Sequence, residues 1–369
     1  MLLRHVGRGL QTNGMDKFGA PSLQQTKQSW DSLKTFFDNV DDVLAELRPI
    51  LEKIARKNTI IVMVCNFGQS SLLMNFICNA KSKGIDISSA IVFATDEQTY
   101  KLAKGLGLAA FYDEKNFGNL PVEEARTYGD RTFTKMMWAK VVVVQLVSWC
   151  GYDLLFQDVD VVWYKDPLEI FHDDKSPYSK FDVLFQDDGA RSLRYAPYSA
   201  NSGFYFVRQN SRTRHLFTSL LYSGDFIAKT GSHQQALTAL LAEHSSLTGL
   251  AVKTLNTNDF PGGWNFHRKG NPTLRKMMTN KHVPIIFHMC WTKNKDDKLK
   301  YLKQMGQWHV HEKCEKNSVV DMVDRSGEEP ISTSCCAADP IISCFYRDKP
   351  SIVPCKDSPP IDKGAKSWW

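Results

Sequence analysis

The chain has 369 residues, 43% of them apolar and 23% charged, with a formal net charge of +6. That length supports one large domain or two modest ones around a real core. The positive charge is spread thinly, with no long basic run and no aromatic-interleaved basic motif, which argues against nucleic-acid binding. No stretch reaches the roughly 18 uninterrupted apolar residues that span a bilayer.

The opening residues Met1 to Arg8 lack the apolar core of a signal peptide, so the chain as written reads as soluble, or as having lost an anchor upstream. Residues 1–28, rich in Gly, Gln, Ser and Thr without periodicity, are expected to be disordered. From Trp30 the apolar positions Leu33, Phe36, Val40, Leu44, Leu47, Leu51 and Ile54 recur at helical spacing. They predict an amphipathic helical stem over 29–57, kinked or split at Pro49.

A catalytic-sized α/β domain is expected over 58–310. Strands read at 59–65, 90–94 and 109–113, and helices at 71–78, 97–106 and 132–149. The segment 152–163 reads as one buried strand that carries Asp158 and Asp160 at its tip. Strands alternating with helices make a largely parallel sheet covered on both faces, with ligands at the carboxyl ends of its strands. Asn66, Asp96, Asp158 and Asp160 then share one rim. The pattern becomes mixed afterwards. A strand at 181–185 runs into Gln186-Asp187-Asp188-Gly189, and the turn Asn201-Ser202-Gly203 opens a strand to Val207. Helices follow near 211–222 and 233–244, then a turn at 259–263 and a last strand, 283–288, ending in His288.

Two carboxylates one residue apart after an apolar run repel each other and lose solvation unless a cation neutralises them. A divalent ion with oxygen ligands does this and keeps positions open for phosphates. Strand alternation sends Asp158 and Asp160 to the same side. The plainer alternative is an acidic turn. Lys140 lies on an otherwise apolar helical face and needs a partner, either a phosphate or a rim carboxylate, unless it snorkels to water. Asn201, Ser202 and Gly203 offer compact hydrogen-bonding groups and a close backbone approach. Asp187 and Asp188 form a second acidic tip, a candidate for catalytic contact with the transferred group, or else caps of the next turn.

The run from Gly151 through Asp158-Val-Asp160 and Trp163 to Asp166-Pro167 closely resembles the nucleotide-diphospho-sugar transferases of glycosyltransferase family 77. The resemblance extends from about Ile60 to Val310 and includes Asn66, the turn Asn201 to Gly203, the turn Phe260 to Gly263, and His288. It implies a GT-A type open mixed sheet, with a Rossmann-like nucleotide-binding half followed by an acceptor-binding half. It implies transfer of a sugar from a UDP-sugar to a glycan or glycoprotein with retained anomeric configuration, and dependence on Mn²⁺ or Mg²⁺. Asp158, Asp160 and His288 are then the metal ligands, and Asn66, Asp96, Lys140, Asp158, Asn201, Ser202, Gly203, Gly263 and Lys293 contact the donor. Lys293 sits in a polar loop with Trp291, Asn294, Lys295 and Lys298 placed to close over phosphates. Where the family often shows Asp-Gln, this chain has His233-Gln234, so Gln234 joins Asp187 and Asp188 as a catalytic candidate while the acid's place is taken by His233.

Five cysteines, Cys314, Cys335, Cys336, Cys344 and Cys355, crowd the polar tail 311–369. Such a tail cannot hold itself by packing, so disulfides and an oxidising compartment are expected, with one thiol left over; zinc is the competing reading. Cys65, Cys78, Cys150 and Cys290 sit in apolar runs as small buried hydrophobes. The resemblance places the protein in the Golgi or secretory lumen, with membrane association only through an N-terminal anchor that this chain does not show. Two other functions fit parts of the pattern. The run Asp158-Val-Asp160-Val161 also matches the motif of aspartate-nucleophile phosphatases, and a non-catalytic binding protein could keep the same fold.

Overall fold

The computed structural model describes residues 19–118, 120–126, 131–192, 195–268, 272–315 and 330–360. Of residues 1–28, expected to be disordered, 1–18 lie outside the described residues, and Leu23 to Gln28 are helical instead. A long helix, α1 (Leu23–Ile54), begins earlier than the pattern predicts, because Ser22 and Gln25 close a reciprocal capping box at its start. It also passes through Pro49 without breaking. Leu47 and Leu51, one turn apart on either side of the proline, are both fully buried and hold the face in place. With Leu33, Phe36, Val40, Val43 and Leu44 they join one of two core clusters, so α1 is a layer of the domain and not a free stem.

The expected α/β alternation then follows. It comprises β1 (Thr59–Cys65), α2 (Ser70–Ser82), β2 (Ala90–Ala94), α3 (Glu97–Gly105), β3 (Ala109–Tyr112), a short α4 (Glu114–Phe117) and α5 (Arg131–Trp149). The next elements are β4 (Asp153–Gln157), β5 (Val161–Trp163), α6 (Pro167–Phe171), β6 (Val183–Asp187), β7 (Ala200–Val207), α7 (Ser211–Leu221), α8 (Gly224–Thr230), α9 (His233–Thr248) and β8 (Val252–Thr254). The domain closes with α10 (Gly263–His267), α11 (Pro272–Met278), β9 (Ile286–His288) and α12 (Lys295–Gln304), and the tail carries α13 (Ile331–Cys335).

Seven strands make one mixed sheet in the order β3-β2-β1-β4-β7-β6-β8, while β5 and β9 pair separately. The first four run parallel, with β1 and β2 buried along their whole length; β7 is antiparallel to both β4 and β6. The strand order reverses between β1 and β4, and the crevice at their carboxyl ends is where ligands bind in open sheets of this kind. This matches the expected open mixed α/β sheet.

The acidic segment differs from its sequence reading. It is two strands in two sheets, not one. The Asp158 N–H donates to Gly203 O on β7 at 2.8 Å, and the Val161 N–H returns to Asp158 O at 3.3 Å. Asp158, Val159 and Asp160 therefore form the turn between β4 and β5. The two acids share a side because of that turn and not through strand alternation.

The cysteine pairing also differs. Cys78–Cys336, Cys314–Cys335 and Cys344–Cys355 are disulfides, so all five tail cysteines are paired and Cys78 supplies the sixth partner. Cys65, Cys150 and Cys290 remain thiols. The tail is fastened to the domain by Gln304 on α12, fully buried, whose amide donates to Tyr346 O, Lys349 O and Pro350 O.

Candidate active site

Three pieces of chain converge at the crevice: the turn after β4, the Gly203 stretch of β7, and the end of β9. Pairing of β5 with β9 sets Val161 opposite His288, which brings the histidine beside the acidic turn. The Met289 N–H donates to Asp160 O at 3.1 Å and fixes the two segments to each other. One ligand atom each from Asp158, Asp160 and His288 then lies within 4.8 Å of the other two. His288 Nε2 is 3.3 Å from Asp160 Oδ1.

A second residue sets the state of that histidine. His288 Nδ1 lies 2.7 Å from Gln186 Oε1, and Gln186 Nε2 donates to Phe260 O at 3.1 Å and Pro261 O at 2.9 Å. With its NH₂ committed to two carbonyls, Gln186 presents only an acceptor to the ring. Nδ1 therefore carries a hydrogen, which leaves Nε2 facing the carboxylates as the nitrogen an ion would bind in place of its proton, the arrangement found behind metal-ligating histidines. Burial alone lowers the His288 pKa, but Cys290 and Asp160 carry it well above its ordinary value. Burial likewise opposes ionisation of Asp160, yet Lys298 and His288 hold it well below the usual carboxylate range. Without an ion, Lys140, Lys298 and the protonated His288 ring balance the two carboxylates, and Asp160 and His288 are buried.

Gly203 gives the centre its room. A Cβ there would lie 2.5 Å from His288 Cε1 and 2.6 Å from Asp158 Oδ2, so any other residue would put a side chain between the ligands. Two carboxylates and an imidazole nitrogen around a glycine-made recess could hold a divalent ion.

Two ammonium groups meet the acids. Lys140 Nζ on α5 donates to Asp158 Oδ1 at 2.5 Å, and Lys298 Nζ on α12 donates to Asp160 Oδ2 at 2.6 Å. These residues share one cleft with Asn66 and the exposed Lys293. Behind it runs a second network. Asn201 Nδ2 donates to Asp188 Oδ1 at 2.7 Å, while Asn201 Oδ1 accepts the Gly203 N–H at 2.7 Å. Gln234 Oε1 accepts from both Ser202 N and Ser202 Oγ. Burial pushes the Asp188 carboxyl up to about 6, against hydrogen bonds from Asn201 and Gln234.

Several expected site residues have other roles. Asp96 caps α3 through the Thr99 N–H and also takes the Phe67 N–H, so its oxygens are spent on backbone. Asn66 lines the cleft, but its NH₂ donates to Pro121 O and Glu123 O, and it orders that loop. Asp187 pairs with Arg191 through both oxygens and caps Gly189. At Gly263 the Cα faces the main chain of Cys290, a close approach that serves packing. His233 is buried against Met137, and burial followed by Lys140 depresses its pKa well below the ordinary value, so it is neutral. In the long acidic motif, Trp163 donates to Gln157, while Asp166 caps α6 and pairs with Arg56. Those features are architectural.

Gln186 and the paired role of Lys298 are the contributions that sequence reasoning missed. A glutamine ending an apolar strand resembles any turn residue, and Lys298 is one of several lysines in its loop. The buried position of Gln186 beside the acidic tip was the only available signal.

The profile of the nucleotide-diphospho-sugar transferase family matches residues 86–302, more than half of the chain. A beta-arabinofuranosyltransferase of Arabidopsis thaliana, RAY1, is 24% identical over 324 residues, covering 82% of this chain and 58% of that protein. A UDP-galactose:fucoside alpha-3-galactosyltransferase of Dictyostelium discoideum is 24% identical over 310 residues, covering 74% of this chain and 47% of that protein. The chain thus spans about half the length of these curated relatives. Among solved structures, the galactosyltransferase LgtC with donor and acceptor sugar analogs aligns at 12% identity and a TM-score of 0.41, covering 74% of this chain and 95% of that one. The chain belongs to the nucleotide-diphospho-sugar transferase family.

Proposed function

We propose that this chain is a metal-dependent retaining glycosyltransferase that moves a sugar from a UDP-sugar to a glycan or glycoprotein acceptor. The observation that carries the reading is the Asp158–Asp160–His288 group with its histidine tautomer set by Gln186. Bound Mn²⁺ or Mg²⁺ would supply a Lewis acid that stabilises the departing nucleoside diphosphate, the main catalytic demand of this reaction.

The chain's own residues divide the remaining work. Asp158, Asp160 and His288 would hold the ion, and Lys140 and Lys293 would meet the phosphates from the cleft walls. Asn201, Ser202 and Gln234 orient the sugar. Asp158 and Asp160 each pair with a lysine and Asp187 with an arginine, which leaves Asp188 held by neutral partners. We assign Asp188 as the acid that would answer positive charge developing at the anomeric carbon. Retention follows either from its attack there or from same-face attack within an ion pair, and the neutral His233 supplies no carboxylate in its place. The family match and the intact ligand set speak against both an aspartyl-phosphate enzyme and a non-catalytic protein. Three disulfides support residence in an oxidising secretory compartment such as the Golgi. Among the described residues no helix is long and apolar enough to cross a membrane.

The test is a panel of UDP-galactose, UDP-xylose and UDP-arabinose with Mn²⁺, Mg²⁺ or EDTA, followed by UDP release and by NMR of the product's anomeric configuration. One donor should release UDP slowly with the ion and not with EDTA. Release that is indifferent to EDTA, or an inverted product, contradicts the proposal.

A further inference from the structure

The acids that form the metal centre are also the acids that hold two lysines. Lys298 Nζ occupies Asp160 Oδ2 at 2.6 Å, and Lys140 Nζ occupies Asp158 Oδ1 at 2.5 Å. Neither lysine belongs to the acidic turn: Lys140 comes from α5 and Lys298 from α12. A divalent ion entering among Asp158, Asp160 and His288 therefore meets two ammonium groups within one side chain's reach, in a recess where little water screens the repulsion. The ammonium groups must turn aside for it to bind. Both line the same cleft, so each can turn without leaving it. Turned away from its carboxylate, a partly buried lysine needs a new anion, and a nucleoside diphosphate brings two phosphates to that place together with the ion.

We infer that Lys140 and Lys298 are exchangeable counter-charges: they neutralise Asp158 and Asp160 until a metal ion and a diphosphate arrive together, the ion taking the carboxylates and the diphosphate taking the lysines. The inference rests on the glycosyltransferase reading of this site and deepens it. Metal and donor are then coupled, each raising the other's affinity by the same factor. The ion alone binds weakly, because it must break two ion pairs and finds no anion to receive the freed lysines. The lysines act on the ion through the acids, as positioning residues.

The exchange makes an unusual claim, that removing a cation from a donor site tightens its hold on a metal. Binding of Mn²⁺ is read by loss of the free-ion EPR signal, with and without UDP, in the full chain and in its Lys298→Met and Lys140→Met variants. Thermal melting with Mn²⁺ alone gives a second readout. In the wild type, UDP should tighten Mn²⁺ binding at least about tenfold. Lys298→Met should bind Mn²⁺ without UDP about tenfold more tightly than the wild type, gain more thermal stability from Mn²⁺ alone, and lose most of the response to UDP. Should Lys298→Met not fold, the same comparison on Lys140→Met decides alone. Folded variants that bind Mn²⁺ alone no more tightly than the wild type overturn the exchange and leave the metal centre standing. A wild type that binds no Mn²⁺ even with UDP overturns the metal centre and the exchange with it.

Discussion

Replacing Gln186 by methionine keeps the volume of the side chain and removes its three hydrogen bonds, to His288 Nδ1 at 2.7 Å, Pro261 O at 2.9 Å and Phe260 O at 3.1 Å. Gln186 is fully buried, so no water replaces it easily. Pro261 O keeps the His288 N–H, so His288 Nδ1 and Phe260 O are orphaned, and at roughly 1–3 kcal/mol each they should lower unfolding stability by about 2–6 kcal/mol. That is a large share of the ~5–15 kcal/mol typical of a domain, so the variant is best handled cold. The functional effect is separate. Without an acceptor at Nδ1 the imidazole loses its fixed tautomer and orientation, and loss of such a supporting bond lowers metal affinity about 10–100-fold. Urea unfolding without metal measures the first quantity, and Mn²⁺ titration in the presence of UDP, followed by EPR, measures the second. A folded Gln186→Met protein with wild-type Mn²⁺ affinity would show that His288 does not serve as a ligand held in this way.

Three further outcomes follow from the same geometry. Gly203→Ala inserts a methyl 2.5 Å from His288 Cε1 and 2.6 Å from Asp158 Oδ2, so it should abolish Mn²⁺-dependent UDP binding in calorimetry while the far-UV spectrum stays native. Asp188 prefers to be protonated when folded, at about 6 against an ordinary 3.8. Its stabilising contribution is complete below the ordinary value and is lost as pH rises through about 6, amounting to about 3 kcal/mol by pH 8. Asp188→Asn should therefore raise the metal-free urea midpoint at pH 8, lose that advantage near pH 4, and lose sugar transfer at both; an equal gain at the two pH values contradicts the assigned burial. Finally, Cys336→Ser opens a disulfide spanning 258 positions, which should cost about 2–5 kcal/mol in urea unfolding, while reductant, which also opens the other two disulfides, should cost the wild type at least as much.

The sheet was legible because buried parallel strands are apolar in their interiors, as Ile60 to Cys65, Ala90 to Ala94 and Leu154 to Phe156 are. The acids Asp158 and Asp160 stood out because such a run gives no packing reason for charge. What the turn does with them was not legible, since a strand of twelve residues and two strands broken by a turn share one apolar pattern. The unbroken passage of α1 through Pro49 depended on Leu47 and Leu51 having a surface to pack against, which is tertiary information. The pairing of Cys78 with Cys336 joins positions too far apart for spacing to carry a signal. Asp96 and Asp187 lie close to the rim in sequence terms, but backbone amides and Arg191 take up their oxygens, a competition that only coordinates reveal. Gln186 escaped notice because neutral amides acquire meaning only from the groups they touch.

The central claim is that Asp158, Asp160 and His288 join an ion to the donor's diphosphate. Titration calorimetry of UDP into the wild type and Asp160→Asn, each with Mn²⁺ and with EDTA, tests it most directly. The wild type should bind UDP with Mn²⁺ and lose at least about 100-fold in affinity with EDTA, while Asp160→Asn should bind equally weakly under both conditions and keep its native fold. A variant whose UDP affinity still depends on Mn²⁺ as strongly as the wild type's would contradict the account.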